Sequence, residues 1–218
     1  MNQKQRRTIF FLVLVALFLF LFTQVARAGT ADVFRGMDML IMQLVQGVHH
    51  DEVTPLVLAI TSLGGIPALT TTVVLSMVLF LFLKRSVTAL FYGAAVALGG
   101  GLNWFLKWVF QRERPDFDPI IIEQGYSFPS GHAMGSIITY GLLTYFIVKI
   151  LPSKGAKAGV IAASTTLILF IGLSRVYLGV HYFSDIIAGF LTGGLWIAIS
   201  VFVWKRVVKE GLNEKRTT

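Results

Sequence analysis

The chain has 218 residues, of which 55% are hydrophobic and only 14% are charged, and its formal net charge is +8. Soluble domains carry about 25% charged residues, so this composition argues against a soluble globule and against disorder. The absence of cysteine excludes disulfides, zinc–thiolate sites and iron–sulfur clusters. The length suits a single helical membrane domain over residues 1–218, because six spans of about 20 residues occupy roughly 120 positions.

Six apolar segments follow one another along the chain and predict an all-α membrane protein with six transmembrane helices. They are Ile9–Val25, Ser62–Leu83, Ser86–Leu106, Ala133–Val148, Ala158–Ser174 and Ile186–Trp204. The second is interrupted near its start by Gly64-Gly65-Ile66-Pro67, which allows for a broken helix. The first also resembles a cleaved signal peptide ending near Ala26-Arg27-Ala28. We favour an uncleaved anchor, because its apolar run is longer than that of a usual signal peptide.

Residues 32–48 predict an additional, amphipathic helix between the first two spans. Its apolar residues recur at helical spacing and include Val33, Met37, Leu40, Ile41, Leu44 and Val48. Polar residues lie between them, at Asp32, Arg35, Asp38, Gln43 and Gln46. Such a helix suits the outer membrane surface, where it would steer a lipid substrate. The alternative is a connecting helix that packs on the bundle.

The basic residues are divided unequally between the two membrane faces that six spans define. Thirteen of the 19 lie on the face that carries both termini. The other face keeps six, which are Arg27, Arg35, Lys107, Arg112, Arg114 and Arg175. By the positive-inside rule the termini are cytoplasmic. The excess positive charge is therefore a topology signal, and we expect no nucleic-acid partner.

Two groups of glycines lie inside the apolar segments, at Gly99-Gly100-Gly101 and at Gly193-Gly194. Phosphate-binding loops also use glycine, but these residues lie deep within predicted helices. We therefore expect them to permit close helix–helix packing.

The face that is poor in basic residues nevertheless gathers polar side chains at the span ends. The first cluster is Lys107 with Arg114-Pro115. A spacing of seven residues sets both cations on one helical face, where they can hold a phosphate dianion. The alternative is a pair of basic residues that anchor a helix end at the membrane interface.

The second cluster is Pro129-Ser130-Gly131-His132, immediately before the fourth span. The N-terminus of a helix offers unpaired N–H groups to an anion, and Gly131 lets the backbone approach the ligand closely. Ser130 supplies either a hydroxyl donor or a helix cap. His132 can transfer a proton near neutral pH, although a cap with an incidental histidine fits the same residues.

The third cluster is Ser174-Arg175, followed by His181 and Asp185 at the start of the sixth span. The two last residues are four apart and share a helical face. A carboxylate bonded to one ring nitrogen leaves the other free to attack, while a structural histidine–aspartate pair is the alternative. Together the three clusters predict phosphoryl transfer. Cations and N–H groups would stabilise the transferred phosphoryl group, one histidine would attack phosphorus, and the other would protonate the leaving group.

These three clusters resemble the three-part signature of the type 2 phosphatidic acid phosphatase superfamily, and all eleven positions match in order. The resemblance implies that His181 is the nucleophile and forms a phosphohistidine, that Asp185 orients it, and that His132 protonates the leaving group. It assigns phosphate binding to Lys107, Arg114, Ser130, Gly131 and Arg175. It implies neither a metal nor another cofactor. The compact layout is similar to that of bacterial phosphatidylglycerophosphatases of the B type, which implies phosphatidylglycerophosphate, phosphatidic acid or undecaprenyl pyrophosphate as substrates.

Two other function classes compete with a lipid phosphatase whose site faces the extracytoplasmic side. A transporter or flippase would use the same charges to bind an anionic lipid or solute without hydrolysis, but binding alone does not require two histidines and a carboxylate. A metal-dependent hydrolase would find ligands in His49-His50-Asp51-Glu52, which lack the spacing of a metal site. The sequence carries no signal for an oligomeric state.

Overall fold

The computed structural model describes residues 32–47, 50–116 and 118–217, together with seven isolated positions among the first 24. The regular structure of these residues is helical, as the sequence predicts. In chain order the helices are α1 (Asp32–Gln46), α2 (Thr54–Ser62), α3 (Ile66–Phe82), α4 (Ser86–Phe110), α5 (Gly131–Ile147), α6 (Lys154–Tyr177) and α7 (Phe183–Thr217). The predicted first span, Ile9–Val25, lies mostly outside the described residues.

The chain is a multi-pass membrane protein. Helix α4, helix α6 and the Phe183–Arg206 part of α7 are each long and apolar enough to cross a bilayer. Helices α2 and α3 are together long and apolar enough for a further crossing, but they are bent by 46°, at the break that Gly64-Gly65-Ile66-Pro67 predicts. Helix α5 has 17 residues and rises about 26 Å, slightly less than the roughly 30 Å hydrocarbon core. The full count of six spans remains a prediction.

The ends of the helices are set by local sequence. Gly65 has extended backbone angles before α3, and a proline follows in the first turn, where its missing N–H has no helical partner to lose. Ser153 caps α6 by accepting a hydrogen bond from the Ala156 N–H at 3.0 Å. Helix α4 ends at Phe110, and the capping residue Gln111 that follows has a left-handed φ of 44°. The chain therefore turns away there and begins the loop 111–130, which leads to α5.

Helix α5 lies at the centre of the bundle, against α4, α6 and α7. Glycine permits the closest approach, since a Cβ at Gly193 would lie 2.1 Å from Ile137 Cγ2. A Cβ at Gly99 would lie 2.8 Å from Ile138 Cδ1. The expected packing role therefore holds for Gly99 and Gly193. Open space surrounds the other three glycines of these groups, which are Gly100, Gly101 and Gly194.

Helix α1 matches the predicted amphipathic helix in position, but its polar residues do not all face solvent. It packs on α6 and α7, with Asp38 and Met42 buried. The apolar residues Met37, Leu40 and Leu44 remain exposed on its other side. The helix therefore attaches to the bundle through a buried carboxylate while it presents an apolar stripe outward.

Candidate active site

The candidate residues lie where several chain segments meet at one end of the bundle. The loop 111–130 leaves α4 there, α5 begins there, and the short turn 178–182 joins α6 to α7. A backbone hydrogen bond from the Ser130 N–H to the Asp185 carbonyl, 3.1 Å long, ties the start of α5 to the start of α7. The three sequence clusters are thereby brought to one place.

Lys107 occupies the last turn of α4 and holds the loop that follows. Its ammonium donates to the carbonyl of Tyr126 and, at 3.3 Å, to the carbonyl of Ser127. A Cβ at Gly131 would lie 4.0 Å from Lys107 Cε, so the cation lies beside the N-terminus of α5. This location suits an anion that binds both groups.

Arg114 crosses the loop and reaches the turn before α7. Its Nε donates to the Gly125 carbonyl at 3.0 Å, and its Nη1 donates to the Val180 carbonyl at 2.8 Å. The same Nη1 lies 3.3 Å from His181 Nε2. The guanidinium therefore stands directly beside the ring nitrogen that faces the pocket.

The Ser130-Gly131 pair forms the N-terminus of α5. Ser130 is the helix cap, because its hydroxyl oxygen accepts from the Ala133 N–H at 3.4 Å. A Cβ at Gly131 would lie 3.2 Å from Asn103 Oδ1, so glycine lets α4 and α5 approach closely. Asn103 also donates to the Pro129 carbonyl at 3.3 Å and helps to hold this turn.

His132 lies in the first turn of α5, beside the break between α2 and α3. A Cβ at Gly64 would lie 3.0 Å from His132 Cδ2 and 2.3 Å from Ile171 Cγ2, so a larger residue at the break would collide with both side chains. Electrostatic interactions link His132 to the Arg175, Glu123 and His181 side chains. The second histidine therefore belongs to the same pocket as the first.

His181 and Asp185 form the predicted pair at the start of α7. His181 Nδ1 lies 3.3 Å from Asp185 Oδ2, which also accepts from the Tyr182 N–H at 3.0 Å. Because Arg114 is a donor, it favours the tautomer with the proton on Nδ1 and the lone pair on Nε2. Burial lowers the pKa of His181 to about 4, although Asp185 raises it. The imidazole is therefore neutral above about pH 4, and its Nε2 lone pair, which faces Arg114, is the one available for attack.

Arg175 is buried near the end of α6 and makes an ion pair with Glu123. The other carboxylate oxygen of Glu123 lies 3.0 Å from Arg114 Nη1 and 4.0 Å from His181 Nε2. Burial raises the pKa of Glu123, but the charges of Arg175 and Arg114 outweigh it and hold the pKa below its ordinary value. A carboxylate thus occupies the space between two of the predicted phosphate-binding cations.

Glu123 and Thr61 are site residues that the sequence interpretation missed. Thr61, at the end of α2, accepts a hydrogen bond from Arg175 Nη1 at 2.8 Å. Neither residue belongs to a spaced motif, so no pattern marked them. The available signal for Glu123 was its position as an acidic residue in the loop between two basic clusters.

Two other features noted in the sequence, Ser174 and the possible metal-binding cluster at residues 49–52, are not assigned to this site. Ser174 donates to the Ile171 carbonyl of its own helix at 2.6 Å, and so serves α6 itself. In the part of the chain that the structure describes, no three His, Asp or Glu side chains are arranged to hold a metal ion. His49, from the alternative metal cluster, lies outside the described residues.

Comparison with known proteins places this geometry in a family. The PAP2 superfamily profile matches residues 88–209. The chain belongs to the PAP2 superfamily. It is 34% identical over 181 residues to phosphatidylglycerophosphatase B of Bacillus subtilis, which covers 82% of this chain and 88% of the relative. A crystal structure of a transmembrane PAP2-type phosphatidylglycerolphosphate phosphatase from Bacillus subtilis has a TM-score of 0.84 and 30% identity, covering 89% of this chain and 96% of that one.

A shorter alignment relates part of the chain to a protein that is named for a different lipid. An undecaprenyl-diphosphatase of Sulfolobus acidocaldarius is 40% identical over 73 residues, which is 34% of this chain and 31% of that protein. The PAP2 profile begins in α4 and ends in α7, so it contains all three sequence clusters. Helices α1 and α2 precede the matched region, although both contribute side chains around the site.

Proposed function

We propose that the protein is a metal-independent lipid phosphate phosphatase that works through a phosphohistidine on His181. The observation that supports it best is the pairing of His181 with Asp185 on Nδ1 and Arg114 beside Nε2, at 3.3 Å in each case. A carboxylate that fixes the ring and a cation beside its free nitrogen are what an attack on phosphorus requires.

Phosphate binding falls to Lys107, Arg114, Arg175, the Ser130 hydroxyl and the N–H groups at Gly131. The cations neutralise the dianion, and the α5 N-terminus adds donors and a favourable dipole. Because these groups are held by loop carbonyls, by Thr61 and by the helix cap, they need little reorganisation in the transition state once the phosphate has displaced Glu123 from Arg114 and Arg175. That preorganisation supplies the stabilisation that a metal ion gives in other phosphatases.

The reaction then has two displacements. His181 Nε2 forms a bond to phosphorus while the bond from phosphorus to the lipid oxygen breaks, and His132, in its imidazolium form, gives a proton to that oxygen. Asp185 stabilises the positive charge that the phosphorylated ring acquires. Water next attacks the same phosphorus and gives a proton back to His132, the N–P bond breaks, and the imidazole and inorganic phosphate are released.

Phosphatidylglycerophosphate is the leading substrate, because the relatives that align with most of the chain are named for that activity. Undecaprenyl pyrophosphate is a second candidate, supported by the partial similarity to an undecaprenyl-diphosphatase. Phosphatidic acid is the third, implied by the superfamily resemblance. All three present a terminal phosphate on a membrane lipid.

The direct test is phosphate release by the purified protein from these three lipids in the presence of a strong chelator. We expect release to survive the chelator and to be inhibited by vanadate, with phosphatidylglycerophosphate the fastest substrate. Activity that disappears with the chelator and returns with one metal would contradict the metal-independent mechanism. Tight lipid binding without phosphate release would favour the transporter.

The proposed orientation places both termini in the cytoplasm and the site on the extracytoplasmic side. Asp118 is exposed in the loop of the candidate site, and Lys154 is exposed where α6 begins at the opposite end of that helix. We expect an impermeant thiol reagent to label Asp118→Cys but not Lys154→Cys in intact cells. Lysed cells should label both. The reverse pattern in intact cells would invert the topology.

Glu123 has an expected effect on substrate affinity. Its carboxylate contacts Arg114 and Arg175, so it competes with the incoming phosphate for the same cations. We expect Glu123→Gln to lower the KM for lipid phosphate and the Ki for vanadate several-fold, with a small change in kcat. Asp116→Asn, an exposed carboxylate in the same loop, is the matched control. A raised KM in the Glu123 variant would mean that this carboxylate assists binding.

A further inference from the structure

A second charged network lies behind the His181–Asp185 pair and reaches helix α1. Arg112 Nη1 lies 2.6 Å from Asp185 Oδ1, and Arg112 Nη2 lies 2.8 Å from Asp38 Oδ2. One guanidinium therefore bridges the carboxylate that holds His181 and a carboxylate from a helix outside the PAP2 profile. Both ion pairs lie at hydrogen-bonding distance and are charge-assisted.

Asp38 is fixed in this network by more than Arg112. It is fully buried, and it accepts hydrogen bonds from the Ser184 N–H at 2.9 Å and from the Ser184 hydroxyl at 2.5 Å. That hydroxyl in turn accepts from Arg112 Nη1 at 2.7 Å. The guanidinium also stacks on the Tyr182 ring, 4.1 Å from its centroid. Arg112 is thus held on several sides, and it has little freedom to leave Asp185.

We propose that Asp38 and Arg112 are positioning residues for the phosphoryl transfer, acting on His181 through Asp185. This inference rests on the proposed function, and it extends the working site to two residues that touch neither substrate nor the reacting atoms. Arg112 occupies Asp185 Oδ1, so that Oδ2 is left to accept from His181 Nδ1. Arg112 therefore fixes the rotation of the Asp185 carboxylate and, through it, the direction of His181 Nε2.

Asp38 has an electrostatic part in this arrangement. Arg112 alone would neutralise Asp185 and weaken its hold on the ring as positive charge develops there. The second carboxylate restores one net negative charge to the set of Asp38, Arg112 and Asp185. Since the effect bears on the charged ring in the transition state, it changes kcat rather than the affinity for the ground-state phosphate.

A purely structural alternative is that Asp38 only anchors α1 to the bundle. The two roles differ in what they predict for the pKa of His181. Removing the Arg112 charge strengthens the pull of Asp185 on the His181 proton, so the acid limb of the pH profile of kcat/KM moves to higher pH. Removing the Asp38 charge leaves Arg112 uncompensated, so the limb moves to lower pH. Loosening a helix gives no such opposed shifts.

The experiment compares Asp38→Asn, Arg112→Gln and Arg112→Lys with the wild type. We expect kcat on lipid phosphate to fall roughly tenfold in the first two variants, as for other second-layer partners of catalytic groups, while KM changes less than twofold. Arg112→Lys keeps the charge, and should hold the acid limb near its wild-type position with a partial recovery of kcat. Asp51→Asn removes an exposed carboxylate and is the control for net charge.

All of these variants leave the rest of the pocket unchanged. The other charged or titratable groups around His181 are Lys107, Arg114, Glu123, His132 and Arg175. In the double variant, Asp38→Asn should add little to the loss in Arg112→Gln, because Asp38 acts on Asp185 mainly through the guanidinium. Additive losses, unchanged kcat in both single variants, or limbs that move in the same direction would overturn the proposal.

A measurement that needs no turnover separates this inference from the proposed function. The ¹⁵N spectrum of histidine-labelled protein in detergent reports the titration of His181, assigned from the His181→Asn variant. We expect its pKa to rise in Arg112→Gln and to fall in Asp38→Asn. Identical titrations in the three proteins overturn the positioning role even if lipid phosphate is hydrolysed. Shifted titrations in a protein that releases no phosphate would show that Asp38 and Arg112 control His181, and would count against the phosphatase. If Asp38→Asn does not fold, the two Arg112 variants test the charge effect: the pKa of His181 should rise in Arg112→Gln and stay near its wild-type value in Arg112→Lys, and equal values in both would overturn the proposal.

Discussion

His181→Asn is expected to abolish hydrolysis of every substrate, whether a lipid phosphate or p-nitrophenyl phosphate. Asparagine has no nitrogen lone pair that can attack phosphorus, and so no substitute for Nε2. Removal of a nucleophile in other enzymes costs on the order of 10⁶-fold in kcat, and a loss of at least roughly 10⁴-fold is the expectation here. The measurement is kcat/KM on both substrates with protein of matched purity.

His50→Asn is the control for this loss, because His50 is exposed outside the pocket and should keep wild-type activity. Vanadate binding to the inactive variant shows whether its phosphate site persists. A His181→Asn protein that binds vanadate and still turns over p-nitrophenyl phosphate would show that the nucleophile lies elsewhere.

His132→Asn is expected to lose lipid phosphatase activity while it retains a much larger share of its activity on p-nitrophenyl phosphate. The alkoxide that departs from glycerol is strongly basic and gains roughly 10²–10⁴-fold from protonation. The p-nitrophenolate is weakly basic and can leave without a proton. The informative quantity is the ratio of the two losses in kcat/KM, which reports differential stabilisation of the two transition states.

Full retention on the aryl phosphate is not expected, because His132 shares the pocket with Arg175 and Glu123. Equal losses on both substrates would make His132 a phosphate ligand rather than a general acid. A leaving-group dependence in His181→Asn instead of His132→Asn would mean that the two roles are reversed.

Helix periodicity and composition predict the elements of this protein well, since a bilayer leaves few alternatives to the helix. The break at Gly64-Gly65-Ile66-Pro67 follows from residue type alone. The spaced clusters likewise identify Lys107, His132 and His181 as neighbours, because each stands at a span end on the same predicted face. These inferences need only the chain's order and the length of a helix.

Two side chains in and behind the pocket, Glu123 and Asp38, could not be predicted from residue spacing. Glu123 lies in a loop whose path is set by the Arg114 and Lys107 hydrogen bonds to its carbonyls, and no periodicity describes that path. Asp38 belongs to the polar positions of an amphipathic helix, where water is the ordinary neighbour. Its burial depends on a long-range partner, Arg112, and pairing across 74 residues leaves no local pattern.

If the phosphoryl group passes through His181, the phosphorylated protein can be trapped during turnover. Excess enzyme is mixed with lipid phosphate carrying ³²P, quenched in alkali during a single turnover, digested and mapped. We expect label to appear transiently on the peptide containing His181, to be stable to alkali and released by acid, and to be absent from His181→Asn. Phosphate release at the normal rate with no label on this peptide, or with label on His132, would contradict it.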